Sequence, residues 1–209
     1  MSLKILFTSD FHADEELLEA AVQEANSGGY DLFVNLGDFM EKEYAEELFE
    51  RVEISGLGCT GNRDMFFDDE FLDDDSVPVY NFLEADIDGE YKLVLIGGDF
   101  PDDINEEVHE IAKEVDSEKL MIGSHYPPKK LNDRIHSGDR IGFEEFREII
   151  MREKPAAWVS GHVHEDFGRD SLLGTEALNA AADETGKAWS VTIGEDGGVE
   201  GVEEVTLVE

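Results

Sequence analysis

The stretch LKILFTSDFH, residues 3–12, is an apolar run that ends in polar residues. Such a run is typical of a buried strand in a parallel sheet. Apolar residues then recur at helical spacing between Leu17 and Ala25, which predicts a helix. The same order returns with DLFVNLGD at 31–38, a helical stretch, and VEISGLGCTGN at 52–62. This βαβαβ start predicts a parallel sheet with right-handed crossovers.

The rest of the chain predicts a mixed sheet. Asp88-Gly89 lies between two β-rich runs, which is a strong hairpin signal. Apolar spacing predicts helices near 104–115 and 143–150, and strands at KLMIGSH and AAWVSGH. The last forty residues read as antiparallel strands with turns near Gly186 and Gly197-Gly198. The acidic run at 68–75 reads as a solvated loop or short helix.

The length and composition of the whole chain limit its number of domains and its location. Its 209 residues contain no linker or repeat, so residues 1–209 are expected to form a single domain. We find no apolar stretch of membrane-spanning length and no cleavable leader, which predicts a cytoplasmic protein with no membrane partner. The one cysteine, Cys59, cannot form an internal disulfide and is expected to be a small buried apolar residue.

The charge of the chain is strongly negative. Asp and Glu number 52 against 16 Lys and Arg, which gives a formal net charge of -36. Self-repulsion of this size opposes folding in dilute salt, but at molar salt the Debye length falls to about 3 Å. The composition is therefore similar to that of proteins from extremely halophilic archaea, and it predicts a salt-loaded cytoplasm. The alternative is an acidic domain that binds basic partners.

Polar side chains follow the predicted strands at the point where each one ends. The carboxyl ends of strands in an open α/β sheet share one edge, so these side chains are expected to converge there. Two residues separated by one are also expected to point to the same side of an extended segment. Imidazole, carboxylate and amide oxygen suit manganese, iron, nickel or zinc. The candidate ligands are Asp10, His12, Asp38, Asn62, His125, His162 and His164.

With these motifs, the chain resembles the calcineurin-like metallophosphoesterases, specifically their small single-domain archaeal and bacterial members. The resemblance covers essentially the whole chain. It implies an α/β fold, a four-layer αββα sandwich of two mixed β-sheets flanked by helices. It also implies a hydrolase with two divalent transition-metal ions, manganese being favoured, whose bridging hydroxide attacks a phosphate ester. Carried over to this chain, it assigns Asp10, His12 and His164 to the first ion, Asn62, His125 and His162 to the second, and Asp38 to both.

One motif departs from the family pattern. Where the family usually has Gly-Asn-His, this chain has Gly61-Asn62-Arg63, followed by Asp64. Arginine can bind a phosphoryl oxygen but cannot act as a general acid. The leaving group must then take its proton from water, from His136 or Tyr126, or not at all. The alternative for Arg63 is a structural ion pair with Asp64 or a surface carboxylate. The predicted catalytic residues are Asp38, Asn62, Arg63 and His125.

A missing general acid favours esters with good leaving groups, so a phosphodiesterase acting on a small phosphate ester is the first choice. One rival is a nuclease of the same superfamily, but only Lys129-Lys130 offers a basic patch near a motif. Another is a non-catalytic scaffold, as in the retromer subunit with this fold, whose ligand set is degraded. Met65-Phe66-Phe67 is expected to be core or an oligomer contact, with an apolar wall for the leaving group as the alternative.

Overall fold

The structure, a computed structural model, describes residues 2–72 and 76–209. Among them it contains five α-helices and twelve strands. The helices are α1 (Glu15–Ser27), α2 (Lys42–Arg51), α3 (Asp69–Leu72), α4 (Ile104–Ala112) and α5 (Glu144–Glu153). The strands are β1 (Leu3–Thr8), β2 (Leu32–Asn35), β3 (Ser55–Cys59), β4 (Val79–Tyr80), β5 (Phe82–Ile87), β6 (Tyr91–Ile96), β7 (Leu120–Ser124), β8 (Ala157–Ser160), β9 (Gly168–Leu172), β10 (Thr175–Asn179), β11 (Lys187–Ile193) and β12 (Val199–Thr206).

The strands form two mixed sheets of six strands each. The first sheet has the order β12-β11-β1-β2-β3-β4, and the second has the order β5-β6-β7-β8-β10-β9. Strands β1 to β4 run parallel, as do β6, β7, β8 and β10. Strands β11, β5 and β9 pair antiparallel with this framework. The parallel start that the sequence predicts is therefore confirmed.

Three apolar clusters separate four layers. One packs α1 and α2 on the first sheet and includes Leu18 and Phe33. The second lies between the sheets and includes Val34 and Leu95. The third packs α4 and α5 on the second sheet around Phe146. Leu6 and Phe33 face the helices while their strand neighbours face the other sheet, as the two-residue period of a strand requires. The predicted αββα sandwich is confirmed.

The two glycine-marked turns are confirmed. Asp88 and Gly89 have φ angles of 53° and 70° and are the central residues of a tight turn closed by the N–H of Glu90 on the carbonyl oxygen of Ile87. With Glu90 they form the three-residue connection from β5 to β6. Gly197 and Gly198 both have positive φ in the turn between β11 and β12.

The predicted pairing of the closing strands is wrong at β10. This strand pairs parallel with β8 and antiparallel with β9, and it lies in a different sheet from β11. The turn before Gly186 therefore joins two sheets. Four of the five residues of β10 are buried, which suits an interior parallel position better than an antiparallel ribbon.

Two further expectations concern the surface and the buried thiol. Cys59 is fully buried, as predicted. Asp69–Leu72 of the acidic run forms the short helix α3, and residues 73–75 lie outside the described residues. Within the described ranges, every helix is too short or too polar to span a lipid bilayer.

Candidate metal centre

Each of the seven predicted ligands lies just beyond the carboxyl end of a parallel strand. Both sheets contribute, and their carboxyl ends face the same region, where the structure brings all seven side chains together. The ligands and their strands are Asp10 and His12 after β1, Asp38 after β2, Asn62 after β3, His125 after β7, and His162 and His164 after β8.

Glycines before the ligands allow the strand ends to approach this closely. A Cβ atom on Gly61 would lie 2.1 Å from Oδ1 of Asp38, and one on Gly161 would lie 2.4 Å from Oδ2 of Asp10. Neither position can accept a side chain without displacing a ligand carboxylate. The Gly-Asn and Gly-His pairs in the sequence therefore have a steric cause.

The ligand segments are turns, and the prediction of extended segments is wrong here. Asp10, His12, Asp38 and His162 have φ angles of 57°, 50°, 60° and 69°, in the left-handed region. Non-glycine residues adopt this region at a cost of about 1–3 kcal/mol each, and such strain concentrates at functional sites. The ligands converge because the backbone turns sharply after each strand, so the two-residue period of a strand does not apply.

Asp10, His12 and His164 form the first cluster. Nε2 of His164 lies 3.4 Å from Oδ1 of Asp10, and Nε2 of His12 lies 3.9 Å from the same oxygen. Oδ2 of Asp10 accepts the backbone N–H of His162 at 2.8 Å. Oδ1 of Asp10 is buried and has no hydrogen-bond partner among the described residues. A buried carboxylate oxygen facing two imidazole nitrogens fits a divalent cation.

Asn62, His125 and His162 form the second cluster. The carbonyl oxygen of Leu36 can only accept, so Nδ1 of His125, 2.9 Å away, carries the proton. In the neutral ring, Nε2 then presents a lone pair to Oδ1 of Asn62 at 2.8 Å. Two acceptors facing each other fit a shared cation. The ring of His162 packs against that of His125, with 5.1 Å between the centroids.

Asp38 lies between the two clusters. Its Oδ2 is 3.2 Å from Nε2 of His12, and its Oδ1 is 3.6 Å from Nε2 of His125. The carboxylate is almost fully buried, so a charge on it requires nearby positive groups. The arrangement suits one carboxylate that serves two ions.

The two clusters differ in their proton affinity. The neighbouring carboxylates of Asp10 and then Asp183 raise the pKa of His164 to about 10. Burial opposes protonation of His12, but hydrogen bonds to Asp183 and Asp38 outweigh it and raise the pKa to about 9. Burial is the main cause that lowers the pKa of His162 to about 4. The acid-rich first cluster attracts positive charge, and His162 keeps a free lone pair at neutral pH.

Arg63 lies at the edge of the centre. Its backbone N–H donates to Oδ1 of Asp38 at 2.8 Å, and its Nε lies 3.7 Å from Oδ2 of Asp38. The side chain is 48 % exposed, so its guanidinium is accessible to a substrate. The alternative of an ion pair with Asp64 does not hold. The carboxylate of Asp64 is buried and accepts backbone N–H groups of Asp38, Met40 and Gly61.

The two candidate proton donors occupy different places. Tyr126 packs against His162, with 4.7 Å between the ring centroids, and burial raises the pKa of its hydroxyl. His136 is 77 % exposed in a loop, where its backbone N–H donates to Glu165. Tyr126 therefore borders the centre directly, whereas His136 approaches it only through the segment that follows His164.

A cavity of about 320 Å³ opens beside the second cluster. Asn62, Met65 and Tyr126 are among its lining residues. The expectation that Met65-Phe66-Phe67 is core holds only for Phe67, which packs on Phe71 at 4.6 Å. Met65 and Phe66 are 75 % and 78 % exposed. Met65 and Phe67 line the cavity, and their role as an apolar wall for the leaving group stays a prediction.

The sequence reasoning missed Asp183. Its Oδ2 lies 2.7 Å from Nδ1 of His164 and 3.4 Å from Nδ1 of His12. It follows β10, whose carboxyl end lies at the same edge as that of β8. The rule that located the other ligands would have found Asp183 if β10 had been predicted as a parallel strand.

Comparisons with known proteins identify the family and agree with the fold. A family model described as calcineurin-like phosphoesterase matches residues 3–166. No curated protein matches the sequence. Three solved structures share the fold at low sequence identity. Protein TT1561 of Thermus thermophilus has a TM-score of 0.70 at 15% identity, over 100% of both chains. A novel archaeal phosphodiesterase has a TM-score of 0.57 at 16% sequence identity, and the match covers 97% of this chain and 99% of that one. A dimetal phosphatase from Danio rerio has a TM-score of 0.61 at 13% sequence identity, and the match covers 99% of each chain.

Proposed function

The chain belongs to the calcineurin-like phosphoesterases, and on that premise we propose that it is a phosphodiesterase with two divalent metal ions. The observation that carries the proposal is the convergence of the two ligand clusters on Asp38. A buried oxygen of Asp10 is also left without a partner in the described part of the chain. The family generally binds two divalent ions. The ligands are nitrogen and oxygen atoms, which manganese, iron, nickel and zinc all accept. The family resemblance makes manganese our first choice.

The proposed roles follow from where each side chain lies. When bound, the ions would lower the pKa of a water and offset the charge of the phosphoryl oxygens. Asp38 holds the two clusters together through its two oxygens. The guanidinium of Arg63 faces Asp38 with Nε and is half-exposed, so its terminal nitrogens can bind a phosphoryl oxygen. Its backbone N–H fixes Asp38. Oδ1 of Asn62 and Nε2 of His125 lie 2.8 Å apart as two acceptors, so both would bind the second ion.

The surroundings of the centre favour a diester over a monoester. Arg63 cannot protonate a leaving group, and Tyr126 holds its proton more tightly than a free tyrosine does. The cavity beside Asn62 and Met65 offers room for a neutral alcohol. Its lining includes the carboxylates of Asp64 and Asp99, which disfavour a further anionic group.

A nuclease is less well supported. Nucleases bind long phosphate backbones through clusters of free cations. Nζ of Lys129 donates to the carbonyl oxygen of Arg140 at 2.6 Å, so this residue of the Lys129-Lys130 pair holds a loop. The negative charge of the whole chain also opposes a long polyanion at low salt.

The substrate class has a direct test. We expect the manganese-loaded protein to hydrolyse bis-nitrophenyl phosphate with a higher kcat/KM than nitrophenyl phosphate. The assay is done in molar potassium chloride, because we propose that the acidic chain works in a salt-loaded cytoplasm. We also propose that residues 1–209 act as a single domain. A preference for the monoester would contradict the diesterase assignment. A purified protein that binds no metal after reconstitution would favour the scaffold.

Replacing Arg63 with histidine tests the missing acid. We expect Arg63→His to retain activity on bis-nitrophenyl phosphate and to raise kcat/KM for a dinucleotide by about tenfold or more, because imidazole can protonate a poor leaving group. The backbone N–H to Asp38 is kept. The measurement is the ratio of the two kcat/KM values.

Arg169→His is the matched control for this variant. Arg169 is also 48 % exposed and pairs with Glu176 on the neighbouring strand β10. We expect the ratio of its kcat/KM for the dinucleotide to its kcat/KM for bis-nitrophenyl phosphate to equal that of the wild type. A dinucleotide rate that falls in Arg63→His as much as the aryl rate would show that phosphate binding by Arg63 outweighs any gain in acid catalysis.

A further inference from the structure

Asp183 contacts both imidazoles of the first cluster through one oxygen. Its Oδ2 lies 2.7 Å from Nδ1 of His164 and 3.4 Å from Nδ1 of His12. The Nε2 atoms of the same rings face Asp10 and Asp38. Nδ1 and Nε2 lie on opposite sides of an imidazole ring, so Asp183 lies behind the ligands.

The backbone places Asp183 independently of these contacts. Ala181 forms a bridge with Ser9, and the N–H of Ala182 donates to the carbonyl oxygen of Ser9 at 3.0 Å. The turn closes with the N–H of Gly186 on the carbonyl oxygen of Ala182 at 2.7 Å. Asp183 is therefore fixed to the segment that carries Asp10, and its position does not depend on either histidine.

The second cluster has no equivalent carboxylate among the described residues. Nδ1 of His125 donates to the neutral carbonyl oxygen of Leu36. The described contacts of the His162 ring are with the rings of His125 and Tyr126, and in the described part of the chain its ring nitrogens have no hydrogen-bond acceptor. A carboxylate behind a metal-binding histidine fixes its tautomer and orientation and makes it a better donor. The two clusters are therefore unequal in how firmly their imidazoles are held.

We propose that Asp183 is a positioning residue that holds His12 and His164 as a pair with both Nε2 lone pairs directed at Asp10, so that the first cluster binds its ion more tightly than the second. The inference rests on the proposed metal centre. It adds that one side chain outside the ligand set makes the two metal sites unequal, and that the ions bind in sequence, the first cluster filling before the second.

Metal titration of the apoprotein tests this directly. We expect isothermal titration with Mn²⁺ to show a tighter and a weaker step in the wild type. Asp183→Ala is expected to weaken the tighter step by about 10- to 100-fold and to leave the weaker step unchanged. Asp183→Asn keeps one acceptor oxygen, so the affinity of its tighter step is expected to lie between those of the wild type and Asp183→Ala. Glu184→Gln, an exposed neighbour, removes the same charge without touching a ligand and is expected to behave as the wild type.

A further readout separates positioning from a merely structural ion pair. The visible spectrum of bound Co²⁺ depends on ligand geometry, so it should change in Asp183→Ala but not in Glu184→Gln.

The outcomes distinguish this inference from the function on which it rests. A wild-type protein that binds no Mn²⁺ would overturn the metal centre and the role of Asp183 together. A wild type that binds two ions, with Asp183→Ala giving the same affinities and the same Co²⁺ spectrum, would overturn the role of Asp183 alone.

Discussion

Replacing Asp38 with alanine is expected to lower kcat for a diester by at least about 10³-fold, which corresponds to about 4 kcal/mol in the barrier. The carboxylate faces Nε2 of His12 with one oxygen and Nε2 of His125 with the other. Its removal takes a ligand from both clusters and leaves the backbone N–H of Arg63 without its acceptor. Both proposed ions should bind more weakly as a result.

Steady-state kinetics on bis-nitrophenyl phosphate with added manganese, together with metal content, measure this effect. Asp38→Asn separates charge from shape, because the amide keeps an oxygen and loses the negative charge. Asp170→Ala, at an exposed position on β9, is the control and should retain full activity. An Asp38→Ala protein that kept two ions and wild-type turnover would refute the bridging role.

Replacing Asp64 with alanine is expected to reduce the free energy of unfolding by about 3 kcal/mol or more. Asp64 is 2% exposed, and its carboxylate accepts backbone N–H groups of Asp38, Met40 and Gly61 at 2.7–2.9 Å. Alanine would leave these donors unpaired beside two residues held at positive φ, Asp38 and Met40. The loop that presents Asp38 would lose its support.

Urea unfolding of the apoprotein at fixed molar potassium chloride measures the loss without interference from metal binding. Asp64→Asn keeps one acceptor and should lose less stability than the alanine variant. Asp170→Ala removes an acid at an exposed position on β9, so it should change stability by less than about 0.5 kcal/mol. If the urea midpoint of Asp64→Ala equalled that of the wild type, these hydrogen bonds would make no net contribution to the free energy of unfolding.

Much of the fold follows from patterns in the sequence. The apolar runs before Asp10 and Asp38 identify buried parallel strands, because a strand covered on both faces needs apolar residues throughout. Asp88-Gly89 identifies a hairpin, because both turn positions need positive φ. The four-layer arrangement is implied by the family resemblance, and the three apolar clusters agree with it.

The errors have a common cause in tertiary context. The sequence predicts antiparallel pairing for β10 because its neighbour along the chain, β11, is a strand, but β10 pairs with β8 from earlier in the chain. Sequence order does not reveal that partner, and Asp183 is missed with it. The left-handed turns at His12 and His162 escape prediction because non-glycine residues rarely adopt them without support from distant residues.

The exposure of the segment after Arg63 also cannot be predicted from the local sequence pattern. Met65-Phe66-Phe67 is uniformly apolar, yet only Phe67 reaches the core near Phe39, while Met65 borders the cavity beside Asn62. Which member of an apolar triplet is buried depends on the direction in which the preceding loop leaves the strand. Asp64 ties that loop to the backbone of Asp38 and Met40, which lie 26 and 24 residues earlier in the sequence.

The most direct test of the shared carboxylate is anomalous diffraction from crystals grown with manganese. We predict two manganese peaks, one between Asp38 and the first cluster and one between Asp38 and the second. A single peak, or none, or peaks that do not touch Asp38 would contradict a centre built on that residue.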